Sequence, residues 1–344
     1  MELGKLTRPI GFVTVVVLAA GCSGNDKAAT QTATPIRPAT QVVATVAMPS
    51  MPGGIAVDPA THKIYVATPE DNAIQVVDPE SRKIVGVITS ATHPVLLQID
   101  PAKNRLYSAN YAETNGDGGS VELIDLGTAQ VTATIPVGNR PLLAVDTDAD
   151  VAYSISAKDF TLSVIDPEQA VVTSTAAPPP GQLTGVSAIT VDPANHTLYA
   201  ADQVQHLVAA VDPNTGTATP VADVGDQPGA VGVDPSTHLI YTLDYGTGRG
   251  AVSVVDPTTH QKIANLPAGD GPTNIAIDAA GHLAYVTNNG GSVSVLDLAS
   301  RSLVSDVRAG QAPTAVAVDP QTHTVYVGNV GDKTLSVIAP LGDR

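Results

Sequence analysis

One register recurs seven times along this chain, and it restricts the fold more than any other feature. A short apolar run ends in Asp at Asp58, Asp100, Asp146, Asp192, Asp234, Asp278 and Asp319. Seven residues after each Asp stands a Tyr: Tyr65, Tyr107, Tyr153, Tyr199, Tyr241, Tyr285 and Tyr326. A second Asp closes a further apolar run about 20 residues on, at Asp78, Asp125, Asp166, Asp212, Asp256 and Asp297, with Ala339 in the seventh unit. A repeat of roughly 40–45 residues means one supersecondary unit stacked on its neighbours. Each unit divides into four short β-branched runs separated by turn residues every 8–12 positions, the all-β signature. In the sixth unit these runs are Thr273–Asp278, Leu283–Thr287, Ser292–Leu296 and Arg301–Val307. No stretch has helical periodicity.

Four-stranded units arrayed radially make a propeller, here with seven blades. Such a ring has to close, because an open sheet edge exposes unpaired backbone groups. The seventh unit supplies only three strands, at Thr314–Val318, Thr324–Val327 and Thr334–Ile338. Gln41–Met48 has the pattern of the fourth strands elsewhere, such as Val131–Pro136, and is expected to complete the last blade.

Tyr285-Val286-Thr287-Asn288, followed by Gly290 to Asp297, resembles the YVTN-repeat β-propeller family of bacterial and archaeal surface and periplasmic proteins. Looser copies are Tyr65 to Thr68 and Tyr326 to Asn329, and the resemblance spans residues 41–340. It implies a propeller. It implies little about activity, because relatives include scaffolds and similar propellers include lactonases and lyases.

Residues 1–21 read as a processing segment. Lys5 and Arg8 precede an apolar run, Gly11–Ala20, that is shorter than a membrane-spanning helix needs. The run ends in Leu18-Ala19-Ala20-Gly21-Cys22, which resembles the lipobox of bacterial lipoproteins, with Ala19 where Leu is commonest. The resemblance implies cleavage before Cys22 and lipidation of its thiol. Cys22 is the only cysteine, so no internal disulfide is possible. Residues 22–40 are rich in Thr, Ala, Gln and Pro and read as a flexible tether. The propeller follows at 41–340 and a short tail at 341–344. The expected address is extracytoplasmic, at the cell envelope, with the membrane engaged through the lipid.

A formal net charge of −16 argues against nucleic-acid binding, which needs clustered Lys and Arg. With aromatics at 3% and no Trp, the core has to be built from Val, Ile, Leu and Ala. Residues that recur in every blade are most economically structural: the Asp as turn formers, the Tyr as core with a bonded hydroxyl. His62, His196, His238, His282 and His323 fall four residues after the blade Asp, in one repeated turn, and His260 sits in another turn.

Departures from the repeat point to a site. The turn between the second and third strands carries five extra residues in blade two, around Asn110–Gly119, and two in blade five, around Asp244–Gly250. Tyr111 and Tyr245, the only tyrosines outside the repeated ring, hold equivalent places in these insertions. With Glu113, Asp117, Asp244 and Arg249 they form a candidate ligand wall, and His93 and His206 fall on the same face. Arg140, Lys158, Asp202, Asn288, Asn289, Asn329, Asp332 and Lys333 are expected to line that face too. No phosphate loop, nucleophile elbow or zinc helix motif occurs. No cofactor is expected beyond a weak Ca²⁺ site at Asn115–Gly119, whose spacing is not that of a dedicated calcium loop.

Two functions fit these residues. One is a non-enzymatic binding or scaffold propeller presenting a face to an envelope protein, glycan or small ligand. The other is a lactonase-like hydrolase or lyase, which needs carboxylates, His and often a metal gathered at the channel mouth.

Overall fold

The computed structural model describes residues 38–90, 92–112, 118–246 and 250–340. Cys22, the tether before residue 38, the tail, and the expected site residues Glu113, Asp117 and Arg249 lie outside the described residues, as do residues 115–117 of the Ca²⁺ expectation. Among the described residues there are twenty-eight strands and one short 3₁₀ turn, Pro69–Asp71. The strands form seven four-stranded antiparallel sheets, each a blade.

The alternation of apolar and polar residues sets how each blade sits. First strands are buried on both faces, as in Pro94–Asp100 and Val186–Asp192. They pack against the first strands of the adjacent blades around the axis. Fourth strands alternate, as in Lys83–Thr89 and Gln130–Val137, and form the outer rim with one face in water. The core lies between blades. Tyr241, Val252 and Val254 of blade five interlock with Ile275, Ile277 and Ala284 of blade six. The seven repeated tyrosines are all buried. Desolvation pushes the Tyr65, Tyr241 and Tyr326 hydroxyls up to about 12. Burial does the same at Tyr107, whose hydroxyl accepts from Arg105 at 3.2 Å.

The seventh sheet draws its outer strand from the other end of the chain. Ala39–Ala47 pairs antiparallel with Thr334–Pro340, with Thr45 opposite Ser336 and Val46 opposite Leu335. The strand starts two residues before the boundary read from the sequence.

Every outer strand carries an irregularity at the same place. Val85 in blade one, Thr132 in blade two, Thr173 in blade three and Val304 in blade six are each skipped in the pairing with the third strand, and Val43 is skipped in the seventh sheet. Such bulges twist an edge and blunt its pairing with other edges.

The turn between first and second strands holds the blades to one another. Each blade Asp uses one carboxylate oxygen to cap its own turn, as Asp278 accepts the Gly281 N–H at 2.9 Å. At four junctions the other oxygen accepts the Nδ1–H of the histidine of the next blade. His323 donates to Asp278 at 2.6 Å, His238 to Asp192 at 2.8 Å and His196 to Asp146 at 2.8 Å. His62 of blade one donates to Asp319 of blade seven at 2.6 Å. The histidines adopt positive φ, 53–61° across the five, which a turn of this shape imposes. The belt is broken at blades two and three, where Asn104 and Asp150 stand in the place of histidine. Asp150 instead pairs with Lys103 and Arg105 of blade two, which also hold Glu168. Asp100, left facing a carboxylate, has one oxygen without a partner, and burial pushes its carboxyl up.

Candidate functional site

The opposite face is built from the second-to-third-strand turns and the linkers that enter each first strand. Three residues past each core Tyr stands a polar group that is buried in all seven blades: Thr68, Asn110, Ser156, Asp202, Asp244, Asn288 and Asn329. In blades four to seven it accepts from the linker ahead of its own blade. Asn288 accepts the Gly269 N–H at 3.1 Å and Asn329 the Gly310 N–H at 3.2 Å. Glycine is needed there, since a Cβ on Gly269 would lie 2.6 Å from the Asn288 side chain. Asp202 accepts Thr184 N–H at 2.7 Å and Val204 N–H at 2.9 Å. Burial works against its charge, but these donors outweigh it and hold the carboxyl low.

This column corrects the expectation for Asp244. It does not line the face: it is 7% exposed, accepts Ser253 Oγ–H at 2.6 Å and Gly225 N–H at 3.2 Å, and braces the blade junction. Asp202, Asn288 and Asn329 are withdrawn from the face for the same reason. With fewer donors than Asp202, Asp244 has its carboxyl pushed up by burial. Because the folded state holds this proton more tightly than the unfolded chain, stability is lost as pH rises from the unfolded value through the folded one. Asn329 shows the neutral solution, its amide donating to Ser336 Oγ at 2.9 Å. Asp244→Asn should therefore raise the thermal midpoint at pH 7. The gain should shrink as pH falls to about 4, near the unfolded carboxyl value. A midpoint lowered at pH 7 would contradict this role.

The next residue donates its backbone N–H to the linker. Tyr111 N–H bonds His93 O at 3.0 Å, and Tyr245 N–H bonds Gln227 O at 3.4 Å. The two tyrosines are equivalent in sequence but not in environment. Arg140 lies over the Tyr111 ring at 5.6 Å, and Tyr111 is half-buried rather than exposed. Burial pushes its hydroxyl up, against the opposing pull of Arg140. Beside Tyr245 the position of Arg140 is taken by Gly271, at φ +65°, and the ring stays 45% exposed.

The histidines serve the same junctions. His93 N–H donates to Asn72 Oδ1 at 2.7 Å. His206, at φ 58°, holds the place of Asn72, and its Nδ1 accepts the Gln227 N–H at 3.1 Å. That bond fixes Nδ1 as unprotonated and leaves the proton on Nε2. Asp226 lies 3.9 Å from the same nitrogen. The structure thus gathers His206, Asp226 and Tyr245 at the junction of blades four and five, and His93 with Tyr111 at blade two. None of the hydrogen bonds joins one group to the other. Among the described residues no three His, Cys, Asp or Glu side chains gather as a metal would require.

A feature the sequence reading missed lies between blades six and seven. A shallow open cleft of about 360 Å³ is lined by the Asn289-Gly290-Gly291 turn, the linker from Arg308, and Asp332. Asp332 accepts Gln311 N–H at 3.1 Å and Thr334 Oγ1–H at 2.8 Å. Asn289 and Asp332 had been placed on this face by the repeat. The cleft itself depends on linker geometry, which the repeat does not encode.

No protein-family model matches this chain, and no curated protein matches it in sequence. In structure it is similar to a chain of hydrazine synthase from Kuenenia stuttgartiensis, with a TM-score of 0.70 and 17% identity. The match covers 93% of this chain and 100% of that one. At that identity the likeness is one of fold.

Proposed function

We propose that this chain is a non-enzymatic binding or scaffold propeller of the YVTN-repeat kind, held outside the cytoplasm by lipid on Cys22. It presents its second-to-third-strand turns to an envelope protein, glycan or small ligand. One observation supports this reading above the rest. Polar side chains at the blade junctions bond to the linkers there, while exposed groups are spread over the turn face. They include Arg140, Lys158, Tyr245 with His206 and Asp226, and Asp332 with Lys333. Separated contact points suit a broad surface of recognition better than a single reaction centre. The tight backbone turns around them give a rigid platform at little entropic cost to binding.

The test is a thermal-shift screen of the mature chain with sugars, cell-wall fragments, lactones, Ca²⁺ and EDTA, repeated on Tyr245→Ala and Asp332→Ala. A ligand at 100 times its Kd stabilises the fold by about 2.7 kcal/mol. A shift with a glycan or cell-wall fragment that is lost in either variant supports the proposal. Turnover of a lactone, abolished by His206→Ala, would overturn it in favour of a hydrolase.

A further inference from the structure

We infer that the outer rim of blades six, seven and one docks on the phospholipid surface of the membrane, resting on the lipid-anchor reading above. Eight large apolar side chains are exposed among the described residues, and five of them lie on this arc: Val43, Val85, Val87, Leu303 and Val304. The three blades are consecutive in the ring, and Arg82 of blade one reaches the Val43 carbonyl of the strand beside it at 3.4 Å.

The bulge position shows that this is not chance scatter. In blades two and three the bulged residue is Thr132 or Thr173, whose hydroxyl donates to the carbonyl of Leu123 or Val164 on the next strand. In blade four it is Val221, and it is buried. In blades six, seven and one it is Val304, Val43 and Val85, exposed at 44%, 37% and 57%. In blade five it is Ile263, half-buried, so open valine at this backbone feature is confined to blades six, seven and one.

Charge follows the same division. Between the closing Asp of the third strand and the end of the fourth, blades two to five carry six carboxylates (Asp125, Asp166, Glu168, Asp212, Asp223 and Asp256) against one Lys262. On blades six and one the corresponding segments balance, with Arg82, Lys83, Arg301 and Arg308 against four carboxylates, and Ala39–Ala47 has no charge. In a chain of net −16 this arc alone combines apolar exposure with neutrality, which suits contact with anionic headgroups.

The N-terminal segment leads to the same place. It joins the domain at Ala39, at the start of the central strand of the arc. Sixteen residues separate Cys22 from Ala39, a reach of at most about 55 Å. A tether of that length holds the rim at millimolar effective concentration against the bilayer, so a shallow apolar contact is enough. The bulges disfavour a second copy as the occupant, because they spoil edge-to-edge strand pairing.

The test uses the full chain, processed in cells and reconstituted in vesicles of phosphatidylethanolamine and phosphatidylglycerol. A fluorophore is placed on Val85→Cys or Val304→Cys, and on Thr175→Cys or Thr219→Cys across the ring. Lipids bearing a quencher on the acyl chain should quench the first pair several-fold more than the second. Adding Val87→Asp and Val43→Asp to the Val304→Cys chain should bring quenching down to the level of the far side. Equal quenching at all four sites, with Cys22 found lipidated, overturns the docking and leaves the anchor standing. Unmodified Cys22 overturns both. Rim probes shielded from a soluble quencher but untouched by the lipid quencher would mean that a second copy covers the arc.

Discussion

Removing residues 39–48 should abolish cooperative folding of the propeller. The segment contributes the outer strand of the seventh sheet and buries Val46 and Met48 against the Val57, Leu335 and Val337 cluster. Burying such side chains stabilises by about 1.5–3 kcal/mol each. The two together amount to about 5 kcal/mol, the low end of the net stability of a whole domain. The bond from Met48 N–H to Lys333 O, 2.8 Å, and the ladder along Thr334–Pro340 go with them. No disulfide is available to hold the first and last blades together. Urea unfolding followed by far-ultraviolet circular dichroism should show a broadened transition with a reduced slope. A sharp transition with the slope of the full chain would mean that the other six junctions suffice.

The second large effect is expected at the histidine–aspartate belt. Asp278 is 1% exposed and holds both its own turn and His323. Asp278→Ala leaves the Gly281 N–H and the His323 Nδ1–H without their acceptor and should cost about 2–4 kcal/mol. His323→Ala should cost less, since Asp278 keeps its turn bond. The double variant should be less destabilised than the sum of the singles, with a coupling of about 1–2 kcal/mol measured by a double-mutant cycle. Additive effects would show that the contact contributes nothing across the junction. Asp150→His tests the break in the belt: the new imidazole should bond Asp100, and Lys103 and Arg105 should keep Glu168 alone as their carboxylate partner.

The fold was legible because every blade states it in the same words. Asp, then Tyr seven residues later, fixes strand alternation and phase, and the strands read for blade six differ from those observed by one residue at most ends. The belt was not legible in one dimension. His62 and Asp319 are 257 positions apart and meet only because the ring brings blade one beside blade seven. Asp244 is the instructive error. It stood in an insertion beside a tyrosine and read as a loop charge, yet the residue three past the core Tyr is polar in all seven blades. A column that recurs is structural, and that rule, applied there, would have found the brace. Tyr111 and Tyr245 show the opposite limit. Their sequence contexts match, and the difference between a half-covered and an open ring rests on Arg140 against Gly271 in a linker that neither belongs to.

The functional account depends first on the address. The proposed propeller presents its face outside the cytoplasm, and Cys22 is the feature that would put it there. The most direct measurement is intact-mass and peptide mass spectrometry on the chain isolated from membranes of the cells that make it. The account predicts a first residue of Cys22 carrying acyl groups on its thiol substituent. A chain beginning elsewhere, or retaining residues 1–21 in the cytoplasmic fraction with a free thiol, would contradict it.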